Sequence, residues 1–176
     1  MIMTPSARKF ALTAHVTSSV GALGAVAGFL VLAIVGLTSK DSQMVRVAYP
    51  AMELIARYVI VPLVLASLIT GLIQSLGTTW GLFRHYWVLA KLLLNALVTI
   101  VLLLQMDGIS CVAAAAAETA LSDTDLLGLR RSILTHAVGG LLVLLVPVAL
   151  SIYKPRGMTR YGWRKHHEGS TAAPQP

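Results

Sequence analysis

Three histidines fall in or beside apolar stretches of this chain: His15, His85 and His136. Imidazole ligates haem iron and divalent metals through a neutral ring nitrogen, and an ionisable group inside a bilayer is costly enough to imply a use. The chemistry on offer is a b-type haem, or a metal, held by two of them from facing helices. Depth decides which pairs are plausible. His15 lies near the start of the first apolar run and His136 four residues into the last, so they enter from opposite sides. With a hydrocarbon core of ~30 Å they should differ in depth by ~15–20 Å. Axial ligands of one haem face each other at one level, which disfavours this pair. His15 and His85 share a side, where a shallow haem or metal site is conceivable. The plainer expectation is that His15 hydrogen-bonds a neighbouring helix and that His85 sits among head groups with Trp80, Tyr86 and Trp87. We expect no cofactor, with haem b as the alternative.

Other candidates are sparse. Lys91, Asn95 and Thr99 recur every four residues and so share one helix face. Lys91 can snorkel to the head groups, whereas Asn95 needs a partner on another helix. Glu53 and Arg57 are spaced for a helical ion pair, acid first, at the expected outer end of the second helix. No carboxylate falls at mid-depth, which argues against an ion-coupled transporter. No Gly-x-Ser-x-Gly, His-Glu-x-x-His or P-loop occurs, which argues against a hydrolase or nucleotide enzyme. The six methionines form no Met-x-x-Met or Met-x-Met cluster, and Cys111 is the one cysteine, so soft-metal binding has only the histidines to rest on. No metal site or catalytic residue is expected.

The elements that position these side chains follow from composition. Hydrophobic residues make up 56% of the 176 and charged ones 12%, with mean hydropathy +0.77. Such a chain has too little polar surface to cover a water-soluble globule. Four apolar runs, 10–37, 50–76, 86–106 and 133–153, must each be helical, because lipid offers no partner for unpaired backbone groups. The fold class is an all-α membrane four-helix bundle. Pro62 and Pro147 fall inside spans and should kink them. The first run is too long, and its most apolar part too late, for a signal peptide, so an uncleaved helix is expected. An outer loop is assigned to 107–132, with a short Ala-rich surface helix and a capping pattern at Ser122-Asp123-Thr124-Asp125 as features within it.

Charge sets orientation. Arg8, Lys9, Arg84 and the tail residues Lys154, Arg156, Arg160, Arg164 and Lys165 share one side; Lys40, Arg46, Arg130 and Arg131 share the other. The heavier side should face the cytoplasm, placing 1–9 and 154–176 inside. The +7 charge is thus juxtamembrane, suited to anionic inner-leaflet lipids rather than nucleic acid. Small residues should knit the bundle: Gly24-x-x-x-Gly28, Ser67-x-x-x-Gly71 and Gly139-Gly140.

The segments LTAHVTSSVGALGAVAGFLVLAIVGL, SLGTTWGLFRHYWVLAKLLL and LSIYKPRGMTRYG resemble a family of small bacterial integral membrane proteins of unknown function, over nearly the whole chain. That resemblance implies a four-helix inner-membrane protein and carries no functional residues. A fainter likeness, to the four-helix copper-resistance D membrane domain, rests on His15 and Trp87-x-x-x-Lys91 and implies metal handling. The expected function is a non-enzymatic accessory or interaction protein, as a homo-oligomer or in a larger membrane complex. The alternative is a haem or metal module built on the intramembrane histidines.

Overall fold

The computed structural model describes residues 3–77, 85–118 and 124–153, with Thr159 and Trp163. Local chemistry starts the first helix early. Thr4 Oγ1 accepts from the Ala7 amide at 3.4 Å and Pro5 takes the first helical turn, so α1 runs Pro5–Thr38. Three residues later the Asp41 carboxylate accepts from the Gln43 amide at 2.9 Å and opens α2, Ser42–Gly77. Helix α3 is Tyr86–Ala117 and α4 is Thr124–Tyr153.

Helix α2 passes through two prolines. At Ala56–Ile60 it widens into a π turn. Pro62, just beyond, has no N–H to donate, and its ring crowds the carbonyl four residues back, at Tyr58. A π turn there relieves the clash while keeping the helix continuous.

Helix α1 packs on α2 and α4, and α3 packs on the same two, giving a square bundle. Neighbours run antiparallel, as cross-bonds at both ends require: Gln74 Nε2 donates to Ala11 O at 2.8 Å, and Arg130 Nη2 to Gly36 O at 2.6 Å. The end holding Pro5, Gly77, Tyr86 and Tyr153 is called the near end here, and the opposite one the far end. All four helices are long and apolar enough to cross a membrane, which makes this a multi-pass bundle.

The helices outrun the apolar runs that announced them. Residues 107–117 and 124–132, expected as outer loop, are helical, and α2 starts at Ser42 rather than near 50. At 30 to 36 residues each spans roughly 45–54 Å, against a hydrocarbon core of about 30 Å. Hydropathy marks only what lipid requires. Beyond those runs the helices are held by packing, which the burial pattern shows. Met52, Val112 and Ala116 at the far end are fully buried, and Tyr49 and Ile109 nearly so. The near half buries mostly small or polar groups, among them Ser18, Ala22, Ser67 and Thr99. Helix α3 buries nothing but Thr99 before Ile109. The larger buried apolar side chains thus lie at the far end and, with Ile60 and Val64, toward the middle of the bundle.

Small residues divide likewise. A Cβ at Gly71 would lie 3.0 Å from His15 Cε1, so Ser67-x-x-x-Gly71 is a packing seam as expected. Gly24, Gly28, Gly139 and Gly140 have nothing within 4 Å of a built Cβ. Those two patterns, expected to knit the bundle, are open within the chain.

Candidate functional site

The near end gathers polar side chains into one seam. His15, about one and a half turns into the apolar part of α1, turns across to α2: its Nδ1 lies 3.0 Å from Ser67 O and 3.2 Å from Thr70 Oγ1. A carbonyl oxygen can only accept, so Nδ1 carries the proton. Thr70 spends its own proton on Ala66 O at 2.6 Å and therefore also accepts. In the neutral ring the lone pair then falls on the remaining nitrogen, Nε2.

Ser67 is the hub. Its hydroxyl pairs with Ser19 Oγ at 2.8 Å and accepts from Asn95 Nδ2 at 3.4 Å. Ser19 and Ser18 themselves sit over the His15 carbonyl, at 2.7 and 3.1 Å. The partner that Asn95 was expected to need is therefore Ser67. Thr99, next on the same face, is buried and donates to Asn95 O at 2.7 Å. Lys91 folds over the Trp87 ring, 4.7 Å from its centroid, and donates to Ser151 Oγ at 2.9 Å. The ammonium thus turns toward the near end, the direction in which a snorkelling lysine leaves the hydrocarbon.

These groups surround a cleft of about 290 Å³, with His15, Ser67, Gln74, Lys91, Asn95 and Ser151 in its polar lining. It offers an imidazole lone pair, an ammonium and neutral donors. Among the described residues, its lining has no carboxylate and no cysteine. Among the described residues, no group of three or more His, Cys, Asp or Glu side chains is placed to hold a metal ion, and no buried side-chain nitrogen or oxygen lacks a partner.

The other two histidines stand apart. His85 caps α3 through its carbonyl, which accepts from the Val88 amide at 3.2 Å, and its ring lies 6.2 Å from Trp87 at a 32° tilt. It does not line the cleft. His136 meets Gln105 at 2.6 Å and its own Ser132 O at 2.8 Å. These bonds set the two histidines at different levels. His15 and Asn95 both reach Ser67, so they share a level; Gln105, the partner of His136, lies ten residues further along α3. That is about 15 Å at 1.5 Å per residue. His136 is exposed.

The Glu53–Arg57 pair forms at 3.1 Å. It sits well inside α2 rather than at its end, since the helix starts eleven residues earlier. Ser110 of α3 bridges it, donating to Glu53 Oε1 at 2.6 Å and accepting from Arg57 Nη2 at 3.0 Å. Sequence reasoning missed Thr70, Gln74 and Ser151. Thr70 and Gln74 follow Ser67 by three and seven residues, the spacing of one helix face, which was the available signal; Ser151 carried none. The tail residues Lys154, Arg156, Arg160, Arg164 and Lys165, and the Ser122-Asp123 half of the capping pattern, lie outside the described residues.

No protein-family model matches this chain, and no curated protein or solved structure does so either.

Proposed function

We propose that this chain is a non-enzymatic accessory protein of the bacterial cytoplasmic membrane, with both termini inside, that works by packing against a second copy or another membrane protein. The observation that carries the reading is the open face of α1. Gly24, Ala27 and Gly28 are exposed, and a Cβ at either glycine would meet nothing within 4 Å. Helices associate in lipid chiefly through such close-approach surfaces. The chain's own packing leaves this one unused, so it suits a helix from outside. The polar groups of the near-end seam are bonded across helices, as in a seam that holds a bundle together. The excess of basic residues flanking the near end supports the orientation, and the basic tail suits anionic inner-leaflet lipids.

The test is association of the full chain in liposomes, read by energy transfer between fluorophores on Cys111, together with photocross-linking in cells from position 27. Transfer, or a discrete membrane-protein adduct, that is lost in Gly24→Leu and Gly28→Leu is the expected result. Wild-type protein giving neither signal, or both variants giving it undiminished, would remove the reading.

A second reading is a haem or metal-handling module. It is favoured by the His15 tautomer, which leaves Nε2 with a lone pair on the cleft that Trp87 and Lys91 also line. Those are the residues that carry the copper-resistance likeness.

A further inference from the structure

The near-end cleft combines one charge, one amide and an apolar wall in a fixed order. Among the described residues, Lys91 is the one lysine or arginine in its lining, and no carboxylate lines it. The Trp87 ring, 4.7 Å from the ammonium, and Ser151 Oγ, 2.9 Å away, are both neutral, so they orient the charge without cancelling it. A ligand drawn to this place is negative. One turn further in, Asn95 Nδ2 carries two hydrogens, of which Ser67 takes one. The wall beside them is aliphatic, with Leu12 and Val16 of α1 and Leu68, Val88 and Leu92. Leu12 and Val16 are each about half exposed, so this wall is open to whatever surrounds α1.

Depth says what that is. From Val20 to Leu37 α1 carries no polar side chain. At ~1.5 Å per residue this stretch is about 27 Å long, close to the ~30 Å of a hydrocarbon core. The near-end boundary of the core then falls beside His15 and Ser19, and so beside Ser67 and Asn95, which are bonded to them. Lys91 lies one turn further out, about 6 Å, within a head-group layer about 5–7 Å thick. The exposed rings of Tyr86 and Tyr153 belong to the same interface. A phospholipid has its groups in this order: phosphate outermost, ester carbonyls at the core boundary, acyl chains beyond.

We infer that the near-end cleft holds an anionic phospholipid of the adjoining leaflet, with its phosphate on Lys91, an ester carbonyl on Asn95 and an acyl chain against Leu12 and Val16. A lipid with one net negative charge, such as a phosphatidylglycerol, matches the one ammonium. A phosphatidylcholine brings a second cation to it. A fatty acid has a carboxylate for Lys91 but no ester for Asn95, and inorganic phosphate has nothing for the aliphatic wall. A haem would compete for the same space. The site involves neither Gly24 nor Gly28, so it holds whether or not the open face of α1 takes a partner.

The experiment is native mass spectrometry of the full chain, released from detergent micelles titrated with a dioleoyl phosphatidylglycerol, a dioleoyl phosphatidylcholine, oleate or inorganic phosphate. One tight phosphatidylglycerol adduct per chain is expected, with the other three each weaker by roughly tenfold or more. Lys91→Gln should weaken that adduct by roughly tenfold, the loss of one hydrogen bond from a charged donor. Val16→Trp blocks the aliphatic wall, leaves the charge in place and should weaken it as well. If Lys91→Gln does not fold, Val16→Trp decides. Lys154→Gln, Arg156→Gln, Arg160→Gln, Arg164→Gln and Lys165→Gln combined should keep the adduct, which separates the cleft from the basic tail. Equal affinity for any of the other three ligands, an adduct unchanged in the cleft variants, or one lost in the tail variant would each overturn the assignment.

Discussion

Arg130 of α4 caps the end of α1: its Nη2 donates to the Gly36 carbonyl at 2.6 Å while its Nε donates to the Tyr49 hydroxyl of α2 at 2.7 Å. The guanidinium also lies 5.3 Å from the Tyr49 ring centroid. A cation on the last-turn carbonyls of a helix complements both its unpaired oxygens and its dipole. One residue thereby ties three helices at the far end. Arg46 does a smaller version of the same for α3, reaching Ala117 O at 3.3 Å.

Removing this lock should be felt. Arg130→Leu is expected to destabilise the protein by about 2–3 kcal/mol, since two hydrogen bonds from a charged donor are lost, and Tyr49→Phe by about 1 kcal/mol. Gly36→Ala should also destabilise, because a Cβ there would sit 2.8 Å from a Tyr49 ring that is only 2% exposed. Unfolding in mixed micelles measures all three. A Gly36→Ala protein as stable as wild type would mean that the ring moves aside freely.

Cys111 reports the orientation without any added probe, since it is the single cysteine and it is exposed on α3 toward the far end. A membrane-impermeant maleimide should label it in intact spheroplasts, and Cys111→Ser should abolish the label. Reporter fusions after Gly77 and at the C-terminus should read cytoplasm. Labelling of Cys111 only after lysis would invert the topology.

The tail over 154–165 should bind anionic vesicles in low salt and release in high salt. Each basic residue near such a surface contributes about 1 kcal/mol, screened within a Debye length. A synthetic tail peptide in a sedimentation assay is sufficient. Equal binding to neutral vesicles would assign the contact to Tyr161 and Trp163 instead.

Protein expressed with ample haem should purify without a Soret band, and His15→Ala should lose about 1–2 kcal/mol of stability through its bonds to α2. The separation of about 15 Å in level between His15 and His136 motivates the expectation. A stoichiometric haem spectrum abolished by alanine at either position would favour the cytochrome reading.

Four apolar runs were enough to give four helices, and the inward face of Lys91, Asn95 and Thr99 was legible from spacing alone. Helix ends were not. Asp107 interrupts the third apolar run, yet α3 continues because Val112, Ala113 and Ala116 pack against Met52 and its neighbours, a tertiary effect with no hydropathy signature. Arg46 and Arg130 counted in the sequence as generic juxtamembrane charge, although each terminates a particular helix. The cleft was half legible. His15 advertised itself, whereas Ser67 read as a packing residue until the side chains meeting on it were known. Glycine pairs misled because spacing alone cannot say whether the facing space is a helix or empty.

The π turn at Ala56–Ile60 makes α2 the equivalent of an ordinary helix carrying one inserted residue. Each residue turns a helix by about 100°. Deleting one position within 56–60, such as the exposed Tyr58, would let the helix close back to regular geometry, though Pro62 would then face the crowding the wide turn relieves. Everything before it would swing by that angle, carrying Met52 out of the far-end core and Tyr49 away from Gly36 and Arg130. The azimuth of a quarter of the bundle is thus encoded in the count of residues between Met52 and Pro62, so that segment should tolerate many substitutions and no change in length.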